Sequence, residues 1–410
     1  MALIKPFRGY RPSKKAELVA SPPYDVLSSQ EARKMAKGNP LSFLHIVKPE
    51  IDLPEQVDLY AEEVYAKGRE NLDKFISHGT LMQDRKPCLY VYAQTMNGRT
   101  QYGLVAAVSA EEYDKGLIRK HELTRKDKEE DRTRHIETLG ATTGPAFLTY
   151  PDRKEIDDKI SAITAEPPIY HFTTPDDIQH DFWVIHEDKD IHFITQTFEQ
   201  IPMLYIADGH HRSASAANVA RRKKAANPYH TGQESYNYFL AVIFPAGQLY
   251  VMDYNRLVKD LNGLTEEEFI SKLREKFEVT PSGESKPAAR HEFGMFLNGK
   301  WHTLRAKQGT FDENNPVDAL DVSILQKHVL EPILGISDPR TDKRINFVGG
   351  IRGLQELEKE VNSGEYKVAF SMYPTSIEEL IKVADANLIM PPKSTWFEPK
   401  LRSGLIIYKY

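Results

Sequence analysis

The chain has 410 residues, 40% of them hydrophobic and 28% charged, with a formal net charge of −5 and one cysteine. This length exceeds one ordinary domain, and the composition is that of a globular protein, not of a disordered or fibrous one. Three partners or states are excluded: an intrachain disulfide, because Cys88 is alone; nucleic acid, because the charge forms no basic stripe; and a membrane span, because no apolar run reaches roughly 20 residues.

The N-terminus, Met1 to Phe7, lacks the apolar region of a secretory signal, and a single cysteine fits a reducing compartment, so a cytoplasmic protein is expected. Ser28 and Glu31 have capping-box spacing and open a helix that Gly38-Asn39-Pro40 ends. A longer helix is expected from Pro54 to Gly79, with Val57, Tyr60, Ala61, Val64 and Tyr65 as its apolar face. Cys88 to Met96 and Thr100 to Ser109 flank Asn97-Gly98, the signature of a type I′ hairpin. The stretch from Gly116 to Gly140 is dense in charge, and such a run is ordinarily a solvated helical face. Gly144-Pro145 leads into a strand, Ala146 to Tyr150. Further strands are expected at Phe182 to Ile185, Met203 to Ala207 and Phe239 to Phe244, with helices at Ile191 to Phe198 and Ser213 to Ala226. Thr265 and Glu268 repeat the capping-box spacing and open a helix to about Phe277. A second Asn-Gly hairpin joins Phe293–Leu297 to Trp301–Leu304 across Asn298-Gly299, a weak hint of a paired β unit. The last strand is expected at Gly404 to Tyr408. Strands and helices interleave, so the class is α/β or α+β. The best breaks are near Gly116 and at Thr280–Ser285. They predict three segments: an N-terminal α/β segment with a hairpin over 1–115, a core over 116–280, and a C-terminal α/β segment over 281–410 that completes the site.

The run Asp208-Gly209-His210-His211-Arg212 stands between a buried strand and a helix. A helix N-terminus offers unpaired N–H groups and partial positive charge, a natural anion site. Gly209 lets the backbone approach a ligand. Arg212 can grip a phosphate with a bidentate fork. Asp208 can bind Mg²⁺ or orient a histidine, and His210 or His211 can donate to a phosphoryl oxygen or shuttle a proton. Two other readings stay open on the residues alone. Asp208 can be a helix cap with surface histidines beside it. The run can also be a metal site, although adjacent histidines lack the usual ligand spacing. Pro22-Pro23-Tyr24-Asp25 is a rigid turn in which Asp25 is a candidate for a substrate amino group, against a purely structural role. Lys393-Ser394-Thr395 is a candidate for nucleotide phosphates, against a simple lead into the last strand. Lys343 and Arg344 read as an exposed charged pair.

Tyr205 to Arg212 resembles the motif of the free-serine kinases of the ParB/sulfiredoxin superfamily. The chain also resembles the bacterial family called domain of unknown function 1015. That resemblance is carried by Pro22–Val26, Asn39–His45, Lys120–Thr124, the Asp208 run and Met390–Lys400. The serine-kinase resemblance implies a ParB/sulfiredoxin-like nucleotide-binding core with an additional mixed α/β domain. It further implies that Glu122, beside His121, is the base taking the proton from the attacking hydroxyl, with His121 among the substrate-binding groups. In the small kinases the equivalent glutamate lies much nearer the Asp208-type run.

The function expected is therefore nucleotide-dependent phosphotransfer on free serine or O-phosphoserine. One alternative is a phosphoserine phosphatase using the same site, since one transition state serves both directions. Another is a nucleotide-binding regulator without chemistry. Mg²⁺ and ATP or ADP are the expected cofactors, with no flavin, haem or structural zinc. The expected partner is a small molecule, not nucleic acid or membrane.

Overall fold

The computed structural model describes residues 2–283 and 286–410; Met1, and Glu284 and Ser285 at the end of the Thr280–Ser285 stretch, lie outside the described residues. The described chain forms two compact units. The first is built from the N-terminal stretch to Lys120, from Thr124–Leu249 and from Pro399–Tyr410; the second from His121–Leu123 and Tyr250–Glu398. The class is mixed α/β. Among the described residues no helix is long and apolar enough to cross a membrane.

The first unit is organised by a nine-stranded sheet. Its strands are β1 (Ile4–Lys5), β2 (Leu89–Met96), β3 (Arg99–Ser109), β4 (Ile118–Arg119), β5 (Ala146–Tyr150), β6 (Tyr170–Thr173), β7 (Gln179–Ile185), β8 (Leu204–Asp208) and β9 (Tyr238–Pro245). They lie in the order β4-β8-β5-β9-β3-β2-β7-β6, with β1 beside β3. Pairing is antiparallel except for β8 with β4 and β9 with β5, which are parallel. The β2–β3 hairpin turns at Asn97 and Gly98, whose φ values of 52° and 75° are those a type I′ turn requires. β2, β5 and β9 are buried along nearly their whole length, so they read as continuous apolar runs without alternation. One face packs Leu89, Val91, Leu148, Ile206 and Ile243 against Ile156, Ile194, Phe198 and Ala217 of the covering helices.

Helices of this unit include α1 (Ser29–Ala36), α2 (Glu62–Ser77), α3 (Lys126–Leu139) and α4 (His210–Ala226). The capping box of α1 is formed as expected by Ser28 and Glu31. Helix α2 begins eight residues later than the apolar spacing from Pro54 predicts. Asp58 explains the delay: its carboxylate accepts the Tyr60 N–H at 3.0 Å, and its carbonyl accepts that of Ala61. A short acid that binds nearby N–H groups stabilises a turn at the helix's expense. The charged run becomes α3, burying only Thr133, His135, Ile136 and Leu139. The strand expected at Gly404–Tyr408 shrinks to Tyr408–Lys409, paired with Ala141–Thr142. Before it, Ser403 and Ile407 make single bridges to Ser21 and Tyr10.

The second unit carries a six-stranded antiparallel sheet. Its strands are β10 (Tyr254–Val258), β11 (Phe277–Pro281), β12 (Glu292–Leu297), β13 (Lys300–Ala306), β14 (Ile345–Gly349) and β15 (Val368–Met372), in the order β11-β13-β12-β15-β10-β14. Its helices include α5 (Glu266–Lys276), α6 (Leu354–Asn362) and α7 (Ile377–Asp385); Thr265 with Glu268 caps α5 and Ser376 with Glu379 caps α7. The β12–β13 hairpin turns at Asn298 and Gly299, again at positive φ. The chain enters this unit through Tyr250–Met252 and leaves through Trp396–Glu398, and these two short strands pair with each other.

Candidate active site

In the first unit the Asp208 run is a strand-turn-helix. β8 is buried through Ala207 and ends at Asp208, where its register against β5 shifts. Gly209 then sits at φ 88°, ψ 35°, in the left-handed region that costs an L-residue most, and α4 starts at His210. The turn is held from inside, because the Gly209 N–H donates to Asp208 Oδ1 at 2.8 Å. The N–H groups of the first turn of α4 thus lie next to a carboxylate at the end of a buried strand.

Asp208 Oδ2 accepts a hydrogen bond from the Lys400 ammonium at 2.9 Å. Burial disfavours the charge of Asp208, but Lys400 and Arg212 outweigh it and hold the carboxyl far below its ordinary range. Lys400 is placed by its own backbone: its carbonyl accepts the Gln94 side-chain N–H at 3.0 Å, and Gln94 is oriented by Gln101 at 3.2 Å. Sequence reasoning assigned Lys400 no role. Its one signal in the sequence is its place at the end of Met390–Lys400, a stretch that carries the family resemblance; its pairing with Asp208 has no local signature.

Arg212 is 7% exposed. Its Nη1 donates to the Pro145 carbonyl at 3.0 Å, and Nη2 to both carboxylate oxygens of Asp25 at 2.9 and 2.8 Å. Burial pulls the guanidinium pKa down, but Asp25 and Asp208 outweigh burial and raise it. The guanidinium carbons of Arg132 and Arg212 lie 4.1 and 5.8 Å from the Tyr24 ring centre. Burial, with Asp25 beside it, pushes the Tyr24 phenol up to about 12. A cavity of about 20 Å³, room for one water, is lined by Tyr24, Arg132, His135 and Arg212 among others. The Nε of Arg212 is buried without a hydrogen-bond partner.

His210 is buried and His211 half-buried. His211 Nε2 accepts the Arg125 main-chain N–H at 3.0 Å. Glu129 fixes α3 to α4: its side chain accepts from Asn218 at 2.6 Å and its carbonyl from Ser215 at 2.9 Å.

For magnesium at Asp208 the donor set fits poorly. A carboxylate is the right kind of ligand, but Oδ1 already takes the Gly209 N–H and Oδ2 the Lys400 ammonium. A divalent ion would compete with Lys400 for the same oxygen.

The sequence model of the family described as a protein of unknown function, DUF1015, matches residues 4–323. The chain belongs to that family. No curated protein matches it. Three solved structures are similar to this chain. A free serine kinase in complex with AMP is 15% identical with a TM-score of 0.37, covering 73% of this chain and 92% of that one. A conserved hypothetical protein from Pyrococcus furiosus is 14% identical with a TM-score of 0.34, covering 73% and 95%. SbnI with a C-terminal truncation, from Staphylococcus aureus, is 11% identical with a TM-score of 0.38, covering 73% and 85%.

The remaining expected site residues belong to the second unit. His121 is 1% exposed and Glu122 half-buried. The His121 carbonyl accepts the Met390 N–H at 2.8 Å, and its Nε2 lies 3.4 Å from Thr395 Oγ1. Lys393 stands at φ 59°, with its ammonium 5.7 Å from the Tyr254 ring centre and its carbonyl accepting Arg256 Nη2 at 3.0 Å. Ser394 is buried; its hydroxyl donates to the Pro391 carbonyl at 2.6 Å and its carbonyl accepts the Thr375 hydroxyl at 2.8 Å. The structure therefore gathers Asp25, Asp208, Gly209, His210, His211 and Arg212 in the first unit, and His121 with Lys393–Thr395 in the second.

Proposed function

We propose that this DUF1015 protein is a small-molecule phosphotransferase that moves a phosphoryl group between a nucleotide and the hydroxyl of free serine. The observation that carries the reading is the Asp208–Gly209–His210 turn, with the first turn of α4, the Lys400 ammonium and the Arg212 guanidinium around one carboxylate. Helix N–H groups and two cations are what a transferring phosphoryl group needs, since its transition state spreads charge over three equatorial oxygens. His210 and His211 supply further N–H donors toward that charge. Glu122, given its role by the motif resemblance, takes the hydroxyl proton as the serine oxygen bonds to phosphorus and the bond to the nucleotide oxygen breaks. The products are O-phosphoserine and the nucleotide shortened by one phosphate. In the reverse sense Glu122 returns that proton to the leaving serine oxygen. Lys393, Ser394 and Thr395 are assigned to nucleotide phosphates, and ATP or ADP, with Mg²⁺ carried on its phosphates, is the donor.

Phosphorus NMR tests the reading. The protein is incubated with L-serine and ATP or ADP, and in parallel with O-phosphoserine alone. A new phosphomonoester resonance that requires both serine and nucleotide supports the kinase. Release of inorganic phosphate from O-phosphoserine alone supports the phosphatase. Unchanged spectra in every mixture leave a binding protein without chemistry.

A further inference from the structure

We propose that Asp25 is an internal anion: it occupies Arg212 until phosphate displaces it, and the carboxylate so released receives the ammonium group of the amino-acid substrate. The proposal rests on the phosphotransfer reading above and names how that site recognises its second substrate.

While Asp25 is in place both terminal nitrogens of Arg212 are engaged, and only its Nε–H is unpaired. Nη2 is shared by both Asp25 oxygens and Nη1 is held by Pro145. The two halves of the ion pair are unequally anchored. The Arg212 side chain is 8% exposed and that of Asp25 is 40% exposed. Arg212 is the third residue of a seventeen-residue helix. Asp25 sits in a three-residue 3-10 turn, Tyr24–Val26, in which Asp25 and Val26 are exposed and no side chain caps the start. When a stronger anion arrives, the guanidinium stays and the carboxylate leaves.

Charge balance points the same way. Asp208 already has Lys400 as its counter-ion at 2.9 Å. The Arg212 charge is therefore balanced chiefly by Asp25, which is the largest influence raising its pKa. A phosphate that takes Arg212 substitutes one anion for another, so the buried cation is never left uncompensated. The substitution leaves the Asp25 carboxylate without its partner, close to the phosphate. Two anions side by side repel unless a cation joins them. The ammonium of a free α-amino acid is such a cation. The pair thus couples the two ligands: phosphate occupancy creates the amino-acid subsite, and by linkage the amino acid tightens phosphate. The ligand class selected is an α-amino acid with a phosphoryl group on its side chain, or that amino acid together with a nucleotide phosphate.

Calorimetry on the full chain tests this with inorganic phosphate, O-phosphoserine and L-serine. Three proteins are compared: wild type, Asp25→Asn, and Asp131→Asn. Asp131 is an electrostatic neighbour of Tyr24 whose carboxylate is bound to Tyr65 and Arg132, so its variant adds the same charge without freeing Arg212. Asp25→Asn should bind inorganic phosphate about tenfold tighter, the weight of one charge-assisted hydrogen bond. O-phosphoserine should not share that gain, because its ammonium has lost a partner. Asp131→Asn should match wild type. Equal phosphate affinity in Asp25→Asn and wild type, or an equal gain in Asp131→Asn, overturns the competition. An equal gain for O-phosphoserine overturns the ammonium role. The outcome is separable from that of the phosphotransfer reading. Serine-dependent turnover without the Asp25→Asn effect sinks this proposal alone, whereas the binding effect without any turnover sinks the reaction alone.

Discussion

The ammonium of Lys400 meets Asp208 Oδ2 at 2.9 Å across a sequence separation of 192 residues. The last twelve residues of the chain, Pro399–Tyr410, belong to the first unit although the second is inserted before them. Lys400 is thus delivered to the end of β8 by a segment whose fixed points are Gln94 and the bridges at Ser403 and Ile407.

Replacing Lys400 by Met should uncover the charge of Asp208 beside the proposed phosphate position. A charge-assisted hydrogen bond is worth roughly 1.5–3 kcal/mol, so nucleotide or O-phosphoserine affinity should fall by about ten- to a hundredfold. Lys400→Arg should recover part of it. Titration calorimetry on the two variants checks this; equal affinity in Lys400→Met would remove the lysine from the site.

Glu122→Gln keeps the shape of the side chain and loses its acid–base capacity. Turnover should drop by roughly 10²–10⁴ with substrate affinity little changed. Single-turnover rates at saturating substrate give the comparison with wild type. Matching rates would assign the proton transfer to Asp208 or to a histidine and confine the serine-kinase resemblance to phosphate binding.

Gly209→Ala separates backbone strain from crowding. An added Cβ would meet Ala146 Cα and Arg212 Cδ at 3.5 Å, ordinary contact, whereas φ 88° stays unfavourable for any L side chain. The cost should therefore be that of the left-handed conformation, about 1–2 kcal/mol. A thermal melt should show a loss of a few degrees; an unchanged Tm would mean that the turn relaxes to negative φ.

The pair His45–Asp52, at 2.8 Å, sets a pH window for stability. The hydrogen bond from Asp52 outweighs burial and raises His45 above its ordinary 6.5. That stabilisation is complete below 6.5 and is lost as pH rises through the raised folded pKa. Burial opposes the charge of Asp52, but His45 and Asn71 hold its carboxyl below the ordinary 3.8. That contribution is present above 3.8 and is lost as pH falls through the lowered value. The two overlap between about pH 4 and 6.5, where the pair should add about 0.5–1 kcal/mol after screening. Urea unfolding of wild type and His45→Gln across pH 3–9 should show its largest difference in that window; a difference independent of pH would deny the pair any electrostatic role.

Much of this protein was determined locally. Ser28 with Glu31 and Thr265 with Glu268 cap the helices they announce, because a capping box is complete within four residues. Asn97-Gly98 and Asn298-Gly299 make their hairpins because positive φ is a property of those residue types. The turn at Asp208 is likewise legible, since an apolar strand, a glycine and an alanine-rich helix stand side by side. Other features were decided only by tertiary structure. Strands β14 and β15 lack a turn signature strong enough to announce them. Breaks such as Gly116 mark local punctuation, but which stretches share a core depends on sheet pairing between distant segments. The same holds for the site. Asp25 stands 187 residues from Arg212, and Lys400 stands 192 from Asp208. Ion pairs of this kind exist because strand order brings charged ends together, and Coulomb attraction acts through space without leaving a pattern along the chain.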